Sequence, residues 1–149
     1  MKRLASFLSL PAARRQQFVL ALLALPVARV ALKVVGVRRT YRMFSSVFPV
    51  KASRPASGAG GSSEPVAIAR VVHRASVVGR SGATCLPQAL VSRALLHRQG
   101  IPTEIRIGTR YKDGQFEAHA WIEANGAQVD ISTDPRADPF VAFEGSVLS

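Results

Sequence analysis

The sequence predicts an α+β fold in which helices precede a small antiparallel sheet. Apolar residues recur at helical spacing over most of residues 4–99, and the period changes to two after Pro102. Two hairpin dipeptides, Asp113-Gly114 and Asn125-Gly126, then divide the remainder into three strands. This order of elements favours helices packed on one face of the sheet.

The first part of the chain is expected to form two helices followed by a linker. Residues 4–24 are rich in Leu and Ala, and a second helical stretch covers about residues 27–47, with Pro26 near its start. Residues 51–65 are mostly Gly, Ser, Ala and Pro, which predicts a flexible linker or long loop. The predicted domain organisation is a basic helical region over 1–50, a linker over 51–64 and a core over 65–149.

Two more helices and the strands are expected in the core. The first helix covers about residues 65–78, where proline is tolerated in the first turn. The second begins near Thr84 and runs to Gln99, and Gly100 suits its C-terminal cap. The predicted strands are 103–112, 115–123 and 128–132.

The positive charge lies almost wholly in the N-terminal part. The formal net charge is +11, and residues 1–63 contain eleven Lys and Arg but no Asp or Glu. Residues 64–149 hold nine of each sign. This asymmetry predicts either contact with an acidic peptide, protein, membrane surface or nucleic acid, or simply a solvated helix face.

No segment is expected to cross a membrane. The longest uncharged apolar stretch, residues 16–28, is too short for a spanning helix, and Arg14-Arg15 interrupts any signal-peptide pattern. The single cysteine excludes an internal disulfide and fits a reducing compartment. We therefore expect a cytoplasmic protein that touches a membrane at most peripherally, through its basic amphipathic helix.

Three residues form the candidate catalytic site: Cys85, His119 and Asp130. Cys85 lies at a predicted helix N-terminus, where unpaired N–H groups and the helix dipole stabilise a thiolate, the nucleophilic form of cysteine. A lone cysteine on an apolar helix is more often a small buried hydrophobe, so its predicted partners decide the interpretation.

The second hairpin turn tests whether His119 and Asp130 can meet. If Asn125-Gly126 is a two-residue loop, Trp121 lies opposite Asp130. Alternation then places His119 on the face that Trp121 and Asp130 share, and the Cα atoms of His119 and Asp130 lie about 7–8 Å apart on the diagonal. An imidazole and a carboxylate can close that gap.

The first hairpin turn places a glycine beside the histidine. If Asp113-Gly114 is a two-residue loop, Gly108 lies opposite His119. A residue without a side chain leaves room on that face, which we expect the N-terminus of the cysteine helix or the substrate to fill.

These positions predict a cysteine hydrolase. Cys85 would attack a carbonyl carbon, and its backbone N–H would donate to the oxyanion. His119 would take the thiol proton and deliver it to the leaving amine, while Asp130 holds the ring tautomer.

Other polar residues receive structural interpretations. His73 and His97 fall within predicted helices, away from the strand pair, and Trp121 is expected in the core or in a pocket wall. Asp134 shares the His119 face and competes with Asp130, but it precedes Pro135 and should lie past the strand end. One Cys and three scattered His do not form a metal-ligand spacing, so no metal or cofactor is expected.

Residues 85–90 (CLPQAL) and 118–121 (AHAW), with an aspartate downstream, resemble the lasso peptide biosynthesis B proteins. These are transglutaminase-like leader peptidases that include the microcin J25-processing type. The resemblance covers about residues 65–130. It implies a papain/transglutaminase-like fold in which a nucleophile helix packs on the sheet, and it matches Cys85, His119 and Asp130 to the family's catalytic positions.

The resemblance also implies a substrate and partners. The substrate would be a ribosomally made precursor peptide, hydrolysed between leader and core to free the core α-amine for a separate ATP-dependent macrolactam synthetase. Residues 1–63 lack the strands of a leader-binding module, so the chain resembles the split, protease-only form, and a separate leader-recognition protein is expected. The basic N-terminal helices are the candidate docking surface for that protein or for the synthetase.

Two other functions stay open. The same three residues would serve an acyl transferase such as a transglutaminase, and the fold could also persist as a non-catalytic peptide-binding scaffold. Nucleic-acid binding has only the basic N-terminus in its favour, without a recognisable motif.

Overall fold

A computed structural model describes residues 11–49, 63–80, 82, 84–129 and 140–143. The predicted helix start at residue 4, the linker residues 51–62 and strand residues 130–132 lie outside the described residues, as do Asp130 and Asp134. The described residues form four helices and four strands: α1 (Ala12–Val34), α2 (Val37–Val47), α3 (Ser63–Val78), α4 (Cys85–Arg98), β1 (Thr103–Lys112), β2 (Gln115–Ala124), β3 (Ala127–Val129) and β4 (Val141–Ala142).

The α+β prediction is confirmed. The strands form one antiparallel sheet in the order β3-β2-β1-β4. One sheet face, carrying Ile105, Ala120 and Ile122, joins a single apolar core with α4 residues such as Leu90 and Leu96. Strand alternation directs His119 and Trp121 to the other face.

Both predicted hairpin registers are confirmed. Lys112 pairs with Gln115, and Ala124 pairs with Ala127, so each loop has two residues. All four loop residues have positive φ, as a type I′ hairpin requires. Gly108 consequently lies opposite His119, as predicted.

The sequence did not predict β4. Its two residues pair with Gly108 and Thr109 of β1, and the Phe143 N–H donates to the Ile107 carbonyl at 3.0 Å. A two-residue strand is too short to show alternation, so the predicted meander of three strands is a sheet of four.

The predicted break near Pro26 is wrong. Helix α1 continues through Pro26 to Val34, and the chain breaks at Gly36, whose φ is +82°. Proline inside a helix costs about 3 kcal/mol. Here Ala21, Leu25 and Ala28 are fully buried on both sides of it, and this burial offsets the cost.

The prediction that no segment is long enough to span a membrane was based on the uncharged stretch of residues 16–28, but helix α1 extends beyond this stretch at both ends. Among the described residues it is the one helix with the length and composition to cross a membrane. Core helices and signal sequences share that composition, and part of α1 lies in the protein core with α3 and α4. The domain boundaries drawn from composition stay a prediction, although α3 begins at Ser63, within the range assigned to the linker.

Candidate active site

Cys85 is the first residue of α4. Thr84 precedes it in an extended conformation, and the Thr84 carbonyl accepts the first helical bond, from the Gln88 N–H at 3.4 Å. The first amides of a helix have no partner within the helix, so they are free to donate to a group placed at its tip. The half-buried Cys85 sulfur occupies that place.

His119 lies in the middle of β2, and aromatic rings surround its imidazole. The Trp121 ring stacks with it at a centroid distance of 6.1 Å and an interplanar angle of 20°. The Phe140 ring lies closer, at 4.9 Å. Both rings therefore pack beside the imidazole and restrict its orientation.

The structure brings Cys85 and His119 together. The His119 ring donates a hydrogen bond to the Cys85 sulfur, which also accepts from the backbone N–H groups of Ala120 and Leu86. The His119 hydrogen bond is the largest influence and lowers the pKa of the Cys85 thiol; burial opposes it, and the two backbone donors and the positive imidazole add to the lowering. The pKa of Cys85 therefore lies below its ordinary value, and the thiolate is favoured.

The edge of β2 explains how a helix tip reaches the histidine. Among the described residues, β3 pairs with β2 only from Ile122 to Ala124. The Ala120 N–H is therefore available to donate to the Cys85 sulfur at the edge of β2. At this edge the sulfur also reaches the side chain of His119, which projects from the opposite face of the sheet.

Asp130 lies outside the described residues, so its predicted role stays a prediction. The β2–β3 ladder is described as far as the Ile122–Val129 pair, and the predicted opposition of Trp121 and Asp130 comes one pair later. The competing Asp134 also lies outside the described residues.

The space beside Gly108 is filled differently from the prediction. A Cβ atom at Gly108 would lie 2.6 Å from the Val141 carbonyl oxygen and 2.7 Å from Cη2 of Trp121. The indole and β4 thus occupy the room expected for the cysteine helix or the substrate. Trp121 is only 4% exposed, and no hydrogen-bond partner of its Nε1 atom is found among the described residues.

A small cavity of about 30 Å³ lies behind Cys85. His73, Gln88 and Ser92 supply its polar lining, and His73 Nδ1 lies 3.4 Å from Gln88 Oε1. This volume suits about one water molecule. His73 is therefore nearer to the site than its position in a separate helix indicated, and no spacing rule links residues 73 and 85.

His97 has the structural role expected of it. It is 4% exposed, and its Nε2 atom lies 3.3 Å from the Thr103 nitrogen and 3.2 Å from the Thr103 oxygen. These contacts join the end of α4 to the start of β1. Burial, reinforced by the charge of Arg93, lowers the pKa of His97, although the Thr103 carbonyl opposes this.

Helix α1 supports the loop that precedes Cys85, a contribution the sequence did not reveal. A Cβ atom at Gly79 would lie 2.8 Å from Cδ1 of Leu22, and one at Gly82 would lie 2.7 Å from a guanidinium nitrogen of Arg29. Glycine thus allows the α3–α4 loop to lie against α1.

Among the described residues, no group of three potential metal ligands occurs.

Comparison with known proteins gives the family. The profile described as Transglutaminase-like superfamily matches residues 30–142, about three quarters of the chain. No curated protein and no solved structure matches it. The superfamily includes cysteine peptidases and acyltransferases, and its fold is commonly enzymatic. With a cysteine at a helix start in contact with a histidine on an antiparallel sheet, the chain belongs to the transglutaminase-like superfamily.

Proposed function

We propose that this protein is a cysteine peptidase that hydrolyses the bond between the leader and the core of a ribosomally made lasso precursor peptide. The observation that carries the proposal is the hydrogen bond from the His119 ring to the Cys85 sulfur at the tip of α4. The resemblance of residues 85–90 and 118–121 to the lasso B proteins supports the choice of substrate.

The reaction proceeds through a thioester. The Cys85 thiolate attacks the scissile carbonyl carbon, and the Cys85 backbone N–H donates to the oxyanion. Protonated His119 gives its proton to the leaving amine, which departs as the free N-terminus of the core. His119 then takes a proton from water, the resulting hydroxide attacks the thioester, and the leader carboxylate and the Cys85 thiolate are released. Asp130 is proposed to orient the imidazole.

The shape of the site favours a peptide as acyl donor. The cavity that Cys85 lines among the described residues has a volume of about 30 Å³, which suits about one water molecule. Since this cavity does not hold a substrate, the scissile bond is proposed to approach the sulfur from outside it, as an extended peptide segment would.

Partner proteins are part of the proposal. The described part of the N-terminal region, residues 11–49, is helical and contains no strand of a leader-binding module. A separate leader-recognition protein is therefore proposed to deliver the precursor, and an ATP-dependent synthetase to use the freed amine. A cytoplasmic location is proposed with it, since those steps need ATP.

Cleavage of a precursor peptide tests the proposal. Wild-type protein, precursor and recognition protein should yield separate leader and core by mass spectrometry, and Cys85→Ala should leave the precursor intact. Lys112→Ala at the exposed end of the β1–β2 hairpin serves as a control variant and should cleave normally. Cleavage by Cys85→Ala at the wild-type rate would falsify the proposal.

Acyl transfer is the second candidate, because the superfamily also includes acyltransferases. The thioester would then pass its acyl group to an amine in place of water. Adding a primary amine to the cleavage reaction separates the two: a leader amide as the main product indicates a transferase, and a leader carboxylate indicates a peptidase.

A further inference from the structure

An apolar stripe runs along the outer face of α1. Its members are 45% to 77% exposed although all are Val or Leu, and they recur at intervals of three or four residues: Val19, Leu23, Val27, Val30 and Val34. The buried residues Ala21, Leu25 and Ala28 project from the opposite side, because each residue turns the helix by 100°. The stripe therefore faces away from the core over about 22 Å of helix.

Helix α2 extends the same surface. Met43 and Val47 are exposed and border a groove of about 380 Å³ between α1 and α2. Phe44 and Leu95 also line this groove, with almost no polar atoms among them. A continuous exposed apolar area of this extent marks contact with another protein or with a membrane.

Cationic side chains border the apolar surface. Lys33 lies at one edge of the stripe, and Arg39 lies one turn before Met43 on α2. Both are exposed, as is Arg42, and within the described ranges none of the three forms an ion pair. No acidic residue occurs among residues 1–63 to offset them.

We propose that α1 and α2 hold the protein on the surface of an anionic lipid bilayer. The apolar stripe would enter the interfacial region, while Lys33, Arg39 and Arg42 contact the negatively charged headgroups. The buried inner face of α1, which carries Ala21 and Leu25, keeps the helix in the protein core and therefore on the membrane surface.

The residue types favour lipid over a partner protein as the occupant. Large aromatic residues dominate the binding energy of many protein interfaces, whereas the exposed stripe consists of Val and Leu alone. Lys33, Arg39 and Arg42 border the stripe without an ion pair among the described residues, and this charge complements a surface of anionic headgroups.

Vesicle co-sedimentation of the full chain tests this proposal, which is independent of the catalytic role of Cys85. The wild type should sediment with phosphatidylcholine vesicles that contain phosphatidylglycerol, and more weakly with phosphatidylcholine alone. The double variant Leu23→Glu/Val30→Glu should stay in the supernatant. Replacing Lys33, Arg39 and Arg42 by Gln should weaken binding by about fivefold for each charge removed.

Phe116→Glu is the matched control, because Phe116 is equally exposed but lies in the β1–β2 hairpin. It should bind vesicles like the wild type, and all variants should keep the wild-type melting temperature. The proposal is overturned if the wild type ignores anionic vesicles or if Phe116→Glu loses as much binding as the double variant. If the wild type does not bind vesicles and the double variant instead disrupts a homodimer or the complex with the recognition protein, the surface binds protein and the lipid proposal is overturned.

Discussion

The imidazole of His119 donates a hydrogen bond to the sulfur of Cys85, which joins the middle of a strand to the first residue of a helix. The contact depends on packing at a distance from both residues. Helix α1 supports the loop before Cys85, and the rings of Trp121 and Phe140 hold His119 from the other side. Substitutions in α1 or at Trp121 and Phe140 should therefore alter the hydrogen bond between His119 and the Cys85 sulfur.

Gly108→Ala should destabilise the fold by about 1–3 kcal/mol, because the new methyl group would overlap the Trp121 ring and the Val141 carbonyl. Trp121 is the single tryptophan of the chain, so its fluorescence reports the displacement directly. Denaturant unfolding and the emission spectrum should both change.

Gly114→Ala provides the control for that variant. A Cβ atom at Gly114 would meet nothing within 4 Å, so the cost of about 1–2 kcal/mol comes from its positive φ alone. Its tryptophan emission should match the wild type. An unchanged emission spectrum for Gly108→Ala would show that the indole does not fill the space beside the glycine.

Trp121→Ala should cost about 3–5 kcal/mol, since it removes a large buried ring and opens a cavity. Trp121→Phe should cost clearly less, because no hydrogen-bond partner for the indole N–H occurs among the described residues. Denaturant unfolding of both variants measures the difference. Equal losses would mean that the N–H makes an essential bond.

Stability should fall in mild acid because of His97. Its pKa is lowered in the folded state, chiefly by burial, and returns to about 6.5 on unfolding. Between those two values the unfolded chain binds more protons, so the free energy of unfolding is highest above about pH 6.5 and decreases as the pH falls toward the folded-state pKa.

Unfolding of the wild type and of His97→Gln across this pH range measures the effect. The glutamine variant should be less stable at neutral pH, because it loses the contact with Thr103, but its stability should depend less on pH. The same acid-dependent loss in both proteins would assign the effect to another group.

Turn chemistry made much of the sheet predictable. Asp113-Gly114 and Asn125-Gly126 both set two-residue loops, and the two-residue period then placed Gly108 opposite His119. The start of the cysteine helix was predicted equally well, since Gly82 and Pro87 bracket it.

Tertiary packing decided what the sequence did not predict. Local preference puts a break at Pro26, but burial of Leu25 and Ala28 carries the helix through it. The Trp121 ring extends across the strand pair and fills the space beside Gly108. The two-residue period shows which face a side chain lies on, but not how far a large ring extends over the neighbouring strand. The pairing of Cys85 with His119 was predicted from their chemistry and from the family resemblance, but the sequence pattern gave no position of the helix tip relative to the edge of β2.

Alkylation of Cys85 by iodoacetamide, followed across pH in the wild type and in His119→Ala, tests the central claim most directly, because the chain has one cysteine. The wild-type rate should reach half its maximum below the ordinary thiol pKa of about 8.5. The variant's midpoint should move to higher pH, since it loses the strongest interaction that favours the thiolate. Identical midpoints in the two proteins would contradict the account.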